Sequence, residues 1–317
     1  MNILWLKDGK LGHEKQVQAL LDEICKIEES NIHERKIENI SCLSSLNPFK
    51  SEIRKDCNIL ASHSIDIIVG AGHNIYSKIL SYKKNLSPIP KAIAILAPSF
   101  RKKDFDFICA PQHDYEKLER LKNVIFFEGS LSKVSTHPID ESIGLIGLGG
   151  KNNHYVFNED SLLNQIQYIV SLFPNKKWFI FNSRRTPASI NFKITKLTKN
   201  NSNINFLNFS TITTPSYNEI LKLASIKIIS PDSMNMVYES LSTLGKSYLF
   251  DMKSKNLNNK IVKQINKLKI NKQIGYLEES SLVTDLQQTK IHSQNEHNDV
   301  FAEVEKLAYK LLKEIKK

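Results

Sequence analysis

The apolar positions of the chain fall into short solid runs, separated by longer stretches in which they recur every three or four residues. Ile3–Leu6, Ile65–Val69, Lys91–Leu96, Phe105–Ala110 and Asn123–Phe127 are runs of the first kind and read as buried strands. Glu14–Lys26 sets Val17, Leu20, Leu21 and Ile24 on one helical face, and a further helix follows over Ile75–Lys84. The region Lys133–Ser142, with His137-Pro138 inside it, reads as a linker. The alternation then restarts with a strand over Ile143–Leu148, broken by Gly144 and Gly147, a helix over Asp160–Phe173 and a strand over Lys177–Asn182. A short helix, Tyr217–Ala224, leads into the apolar run Ile226–Ile229. Asp232 or Ser233 suits the N-cap of the helix after it, Met236, Val237, Leu241 and Leu244 form its apolar face, and Gly245 suits its end. The segment 250–295 is polar and lysine-rich, with a helix near Asn258–Leu268; Val300, Val304, Leu307, Leu311 and Ile315 mark an amphipathic final helix.

Strands that alternate with helices, with polar turns after the strands, predict parallel doubly wound sheets. Because the alternation starts twice, the expected fold is α/β with two Rossmann-like domains, 1–138 and 139–297, and a C-terminal helix over 298–317. A chain of 317 residues is long enough for both.

Composition narrows the function classes. Hydrophobic residues make up 41% and charged residues 24%, ordinary for a globular protein. No apolar run approaches the ~20 residues of a membrane helix, and the opening residues carry no basic signal-like region. Cys25, Cys42, Cys57 and Cys109 are scattered without CxxC spacing, so neither a zinc site nor a disulfide framework is expected and a reducing cytoplasm fits. The net charge of +11 is spread along the chain with no long basic arm. Nucleic acid is therefore not the expected partner; phosphate-bearing substrates fit, as does peripheral contact with an anionic membrane surface on the cytoplasmic side. Lys83, Lys84, Arg101, Lys102 and Lys103 flank the proline-bearing segment near Pro88 and Pro90 and are the lipid-contact candidates, against an ordinary solvated surface.

Candidate chemistry sits in the turns after strands. Ser183-Arg184-Arg185-Thr186 sets two guanidinium groups and two hydroxyls at a helix start, which suits an anion; a solvated basic turn is the alternative. Gly149 and Gly150 could offer backbone N–H groups to a phosphate oxygen. Asp232, Ser233 and Met236 line the turn after Ile226–Ile229, and Glu239, about two helical turns on, can accept from ribose hydroxyls unless it is merely solvated. In the first half, Asp8-Gly9-Lys10-Leu11-Gly12-His13 and Gly70-Ala71-Gly72-His73 are glycine loops, neither of them a P-loop nor a dinucleotide fingerprint. His13, His73 and His113 each follow a strand and would share one sheet edge; Asp8 and Asp114 are acid, base or orienting partners. No metal-ligand spacing joins them, and no GxSxG motif is present.

The run Trp5-Leu6-Lys7-Asp8-Gly9-Lys10-Leu11-Gly12-His13-Glu14-Lys15-Gln16 resembles the opening motif of the mitochondrial-fission ELM family, whose bacterial members are described as nucleoside-diphospho-sugar glycosyltransferases. Val69–His73, Pro111–Asp114, Ser183–Pro187 and Asp232–Gly245 agree in order and spacing, over about Trp5–Leu249. Leu96-Ala97-Pro98 departs from the family, which more often has a polar residue and Asp before Pro. The family is in turn similar to GT-B glycosyltransferases. The resemblance implies an acceptor-side N-terminal domain, a C-terminal domain binding the nucleotide sugar and a final helix packing back across the domains. It further implies that Glu239 holds the donor ribose. On that reading Ser183, Arg184 and Thr186 would bind the diphosphate, and His13 is the favoured base, helped or oriented by Asp8 or Asp114, with His73 and His113 as rivals. The expectation is a metal-independent transferase that needs no cofactor. It moves sugar from a nucleoside-diphosphate sugar to a cell-envelope glycan or lipid-linked acceptor. A sugar-nucleotide epimerase and a non-catalytic membrane-surface scaffold are the competing readings.

Overall fold

A computed structural model describes residues 1–37, 48–211, 214–281, 287–294 and 300–317; Cys42 lies outside them. The chain divides into two compact units, residues 1–133 with 302–317, and residues 134–301.

In the first unit the strands are β1 (Asn2–Lys7), β2 (Asn31–Lys36), β3 (Ile67–Ala71), β4 (Lys91–Ile95), β5 (Phe107–Pro111) and β6 (Val124–Phe127). They form a six-stranded sheet in the order β2-β1-β3-β4-β5-β6, parallel throughout. The helices are α1 (Leu11–Ile27), α2 (Pro48–Leu60) and α3 (His73–Asn85). Helix α1 buries Val17, Leu20, Leu21 and Ile24, the face its spacing predicts. The chain reverses its direction of travel across the sheet between β1 and β3, so the crevice at their carboxyl ends is the topological switch point.

In the second unit the strands are β7 (Asp140–Gly147), β8 (Lys177–Phe181), β9 (Ile204–Leu207), β10 (Ala224–Ile229), β11 (Lys246–Leu249), β12 (Gly275–Ser281) and β13 (Gln287–His292), with helices α4 (Glu159–Leu172), α5 (Ala188–Lys199), α6 (Tyr217–Leu223), α7 (Met234–Leu241) and α8 (Lys260–Ile270). The sheet order is β13-β12-β11-β10-β7-β8-β9, parallel except for the hairpin of β12 with β13. Its first six strands follow the Rossmann order, with the switch point between β7 and β10. The final helix, α9 (Glu303–Ile315), belongs to the first unit. It buries Val304, Leu307, Ala308, Leu311 and Leu312, packs on α1 and β6, and its Glu303 carboxylate accepts the Glu128 N–H at 3.0 Å.

Several elements differ from the sequence expectation. Strand β2 reads NIHERK, too polar for an apolar-run criterion, yet as an edge strand it needs no buried face. Strands β9, β11, β12 and β13 and helix α2 were also not anticipated. Strand β7 starts at Asp140, inside the expected linker, and its glycines do not break it. A side chain at Gly144 would meet the Trp178 ring at 2.5 Å, and one at Gly147 the Met236 methyl at 2.6 Å, so both are places of close packing. Helix α7 stops at Leu241, and Gly245, at φ +85°, serves the turn into β11 rather than the helix end. Gly70 lies within β3, against the Leu6 carbonyl and Ile75, rather than in a loop.

The central strand β10 carries a lysine that the solid sheet swallows. Lys227 is fully buried, and burial pushes its pKa down to about 7 from an ordinary 10.5. Between those values the unfolded chain holds a proton that the folded chain has released, so the Lys227 contribution to stability grows as pH rises through that window. Urea unfolding at pH 7 and pH 9 should therefore show wild type gaining on Lys227→Met at the higher pH; a pH-independent difference would contradict this.

Candidate functional site

The carboxyl edge of the second sheet gathers the turns after β7, β8 and β10 around one carboxylate. Asp232 is buried, with its side chain fully covered. Its Oδ2 accepts the Gly150 N–H at 2.9 Å and lies 3.0 Å from the Arg185 guanidinium. Burial raises its pKa, and the Gly150 N–H, the Ser230 hydroxyl and Arg185 oppose that rise. The Asp232 carbonyl accepts from Asn152 Nδ2 at 2.9 Å, while Asn152 Oδ1 accepts the N–H groups of His154 and Tyr155. Tyr155 is buried close by; burial raises its phenol pKa and the charge of Asp232 adds to the rise. One residue thus ties together three loops from separate strands.

This network changes the roles of several predicted residues. The Gly149 N–H donates to Ser230 Oγ at 2.7 Å and the Gly150 N–H to Asp232, so neither amide is the phosphate donor expected of it here. A side chain at Gly149 would meet both Asp232 oxygens at 2.3 Å, and one at Gly150 would meet the Arg185 carbonyl at 2.0 Å. Close approach is what demands these glycines. Ser183 Oγ donates to the Gly149 carbonyl at 2.7 Å, and the Thr186 hydroxyl is turned inward to the same carbonyl. Both hydroxyls bind turn to turn. Met236 sits over Gly147, and Ser233 is the N-cap of α7 with no side-chain capping bond.

The groups that this network does not enclose are the two guanidinium groups, both exposed, and Glu239, one oxygen of which is buried. Arg184 is exposed and, among the described residues, has no ion-pair partner. Arg185 keeps 43% of its side chain exposed while anchored on Asp232. Glu239 is half-buried in the last turn of α7, and its charge, after burial, raises the Tyr217 phenol pKa.

In the first unit the switch point holds a pair of the kind general-base chemistry uses. Asp8, at the end of β1, is buried, and its Oδ2 lies 2.7 Å from His13 Nδ1 in the first turn of α1. Its Oδ1 accepts the Lys10 N–H at 3.0 Å. With Nδ1–H donating to the carboxylate, Nε2 is the basic nitrogen of His13. Gly9, at φ +76°, donates its N–H to Glu14 at 2.9 Å, and the Gly12 carbonyl accepts from Gln16 at 3.2 Å. Gly72, at φ +115°, closes the other side: a side chain there would meet Asp8 at 2.3 Å and His13 at 2.7 Å. His73 instead pairs with Ser99 Oγ at 3.0 Å and lies edge-on to Phe100. His113 and buried Asp114 stand in the short helical turn after β5. Burial pushes the Tyr76 phenol pKa up to about 12, and the charges of Asp8 and Asp114 add to the rise. His13 is paired with the Asp8 carboxylate at this edge.

Sequence reasoning gave no role to Ser230, at the start of the turn after β10, or to Asn152, Tyr155 and Lys227. Asn152 reads as an ordinary turn residue and Tyr155 has no motif. Lys227 did carry a signal: a lysine inside Ile226–Ile229, a run too apolar to leave it in solvent.

Two parallel-sheet units of Rossmann type, each with a loop cluster at its switch point, define a GT-B-like fold. The chain belongs to the mitochondrial fission ELM1 family, whose model matches residues 11–315. It is 25% identical over 305 residues to an uncharacterised protein of Rickettsia prowazekii (strain Madrid E), covering 79% of this chain and 83% of that one. Among solved structures it is similar to the UDP-GlcNAc 2-epimerase of Methanocaldococcus jannaschii, with TM-score 0.53, 11% identity and coverage of 99% of this chain and 100% of that one. The ADP-heptose lipopolysaccharide heptosyltransferase II of E. coli aligns at TM-score 0.49 and 12% identity, over 79% and 84% of the two chains. These likenesses concern the fold. No helix among the described residues is long and apolar enough to cross a membrane.

The two arginines separate by their partners. Arg185→Ala should cost about 1–3 kcal/mol of stability, because it strips a buried carboxylate of one of its donors. Arg184→Ala should stay within about 0.5 kcal/mol of wild type, as an exposed substitution does. Urea unfolding of both variants checks this, and equal losses would contradict it.

Proposed function

We propose that the protein is a GT-B-type glycosyltransferase that moves a sugar from a nucleoside-diphosphate sugar to a cell-envelope glycan or lipid-linked acceptor. The observation that carries the reading is the Asp232–Arg185 contact at 3.0 Å. It holds the basic turn after β8 at the switch point between β7 and β10, where open α/β sheets bind their ligands. An anchored Arg185, and an Arg184 that has no ion-pair partner among the described residues, are suited to the diphosphate, and their fixed charge meets the negative charge that grows on the leaving group, the task a metal performs elsewhere. Glu239, on the helix that follows β10, takes the ribose hydroxyls.

The Asp8–His13 pair supplies the base. As the acceptor oxygen bonds to the anomeric carbon, its proton passes to His13 Nε2, and the bond from that carbon to the diphosphate oxygen breaks, releasing the nucleoside diphosphate. Asp8 orients the imidazole and stabilises the imidazolium. Asp114, expected as an alternative partner, remains the carboxylate next to His113.

Epimerisation of a sugar nucleotide is the second reading. It rests on the similarity to the Methanocaldococcus jannaschii UDP-GlcNAc 2-epimerase at TM-score 0.53. An epimerase needs one substrate, so product analysis on a sugar nucleotide without acceptor separates the two.

The first test is a thermal-shift screen against UDP-, GDP-, ADP- and CMP-sugars, since a ligand of the native state raises its melting temperature. With the best binder, Arg184→Ala should weaken affinity for the nucleoside diphosphate far more than for the nucleoside, as read by calorimetry. Equal losses would remove the diphosphate role.

His13→Ala should leave donor affinity near wild type and lower turnover by about 10²–10⁴-fold, the usual worth of a positioned acid–base group. Transfer rates at saturating donor for the alanine variants of His13, His73 and His113 decide the matter. A collapse confined to the His113 variant would move the base there.

A further inference from the structure

The helix that bears Glu239 is short. Helix α7 has eight residues, and Glu239 lies in its last turn. So few residues cannot hold a terminal turn by their own backbone hydrogen bonds, because the last carbonyls of any helix lack internal partners. An αL glycine directly after the helix would often supply them. Here the C-cap is Ser242 in an ordinary conformation, and the positive-φ glycine comes later, at Gly245.

The partners come instead from the strand beneath. Lys227 rises from β10, fully buried, and its Nζ donates to the carbonyls of Ser240 at 2.8 Å, Thr243 at 3.2 Å and Leu244 at 2.6 Å, and to Thr243 Oγ1 at 2.7 Å. Short hydroxyl bonds surround this point: Ser240 Oγ reaches the Val237 carbonyl at 2.7 Å, Ser242 Oγ the Tyr238 carbonyl at 2.8 Å, and Ser247 Oγ the Ser240 carbonyl at 3.1 Å. Among the described residues no carboxylate pairs with Lys227; its acceptors all belong to the end of α7 and the turn behind it.

An apolar side chain would fill this space at lower desolvation cost. What only a lysine supplies is a single nitrogen that meets several of these acceptors together. One of those carbonyls belongs to Ser240, the residue after Glu239. The grip therefore sets the rotation and tilt of the turn from which the Glu239 carboxylate projects.

We propose that Lys227 is the positioning residue of the nucleotide site: by holding the Ser240, Thr243 and Leu244 carbonyls it fixes Glu239, and recognition of the ribose hydroxyls depends on it. The inference rests on the reading that Glu239 takes the ribose.

The experiment compares UDP, GDP, ADP and CDP with their 2′,3′-dideoxy analogues by titration calorimetry on the full chain. In wild type the ribose form of the nucleotide that binds should be preferred by about tenfold or more, the worth of a hydrogen bond to a charged group. Glu239→Ala should abolish the preference. Lys227→Met should reduce it to within about threefold while leaving the affinity for the dideoxy form unchanged, a split that general loosening of the domain does not produce. Should Lys227→Met fail to fold, Thr243→Val, which removes one acceptor, should reduce the preference partway. A folded Lys227→Met, or in its place Thr243→Val, that keeps the wild-type preference overturns the proposal. A wild type that binds ribose and dideoxy forms alike, or none of the four, overturns the Glu239 reading instead, and this inference with it.

Discussion

A buried carboxylate at the end of a central strand is the constraint on which the second unit turns. Asp232 loses its hydration on folding, and the rise in its pKa shows that its partners only partly offset that loss. What the arrangement secures is position. The Gly150 N–H brings the turn after β7 to Asp232, and the Arg185 guanidinium brings the turn after β8. The Asn152 amide reaches the Asp232 carbonyl from the other side. Removing a partner from such a centre costs more than the pair contributes, because the remaining charge stays buried. The turns are therefore coupled, and the residues around the carboxylate are better understood as a frame for the exposed arginines than as ligands.

That distinction explains what could be read from the sequence and what could not. Apolar runs and three- or four-residue spacing located β1, β3, β4, β5, β8, β10, α1, α4 and α9, since burial on both faces of a parallel strand leaves a solid pattern. They failed for β2 and for the antiparallel end of the second sheet, where one face or one edge meets solvent and the pattern dissolves. The turns carrying His13, Arg184, Arg185 and Asp232 were legible as polar punctuation after strands. Their internal hydrogen bonds were not: whether Thr186 faces a ligand or the Gly149 carbonyl depends on a tertiary contact between β7 and β8. The family resemblance covered the same motifs and shared the same blindness, since a motif records that a residue is present and not where its side chain turns. Lys227 fell outside both, although a lysine within an apolar strand has to find oxygen somewhere in the core.

The two units solve one geometric problem in the same manner. Each sheet changes direction at a pair of neighbouring strands, β1 with β3 and β7 with β10. In each, one strand of the pair ends in a buried aspartate, Asp8 or Asp232, and the loop after the other brings a glycine against it. A side chain at Gly72 would meet the Asp8 carboxylate at 2.3 Å, and one at Gly149 would meet the Asp232 carboxylate at the same distance. Glycine is required because the carboxylate already occupies the volume a Cβ would need. In each, the aspartate holds a basic side chain that stays partly exposed, 26% for His13 and 43% for Arg185. The difference in that side chain sets the chemistry each edge can perform. Imidazole exchanges its proton near neutrality, whereas guanidinium keeps its charge at any working pH and presents a planar fork to phosphate oxygens. A carboxylate beneath the first fixes the orientation of the ring; beneath the second it holds a permanent cation. One frame is thus built twice, with an imidazole held on the edge of the first sheet and a guanidinium on the edge of the second.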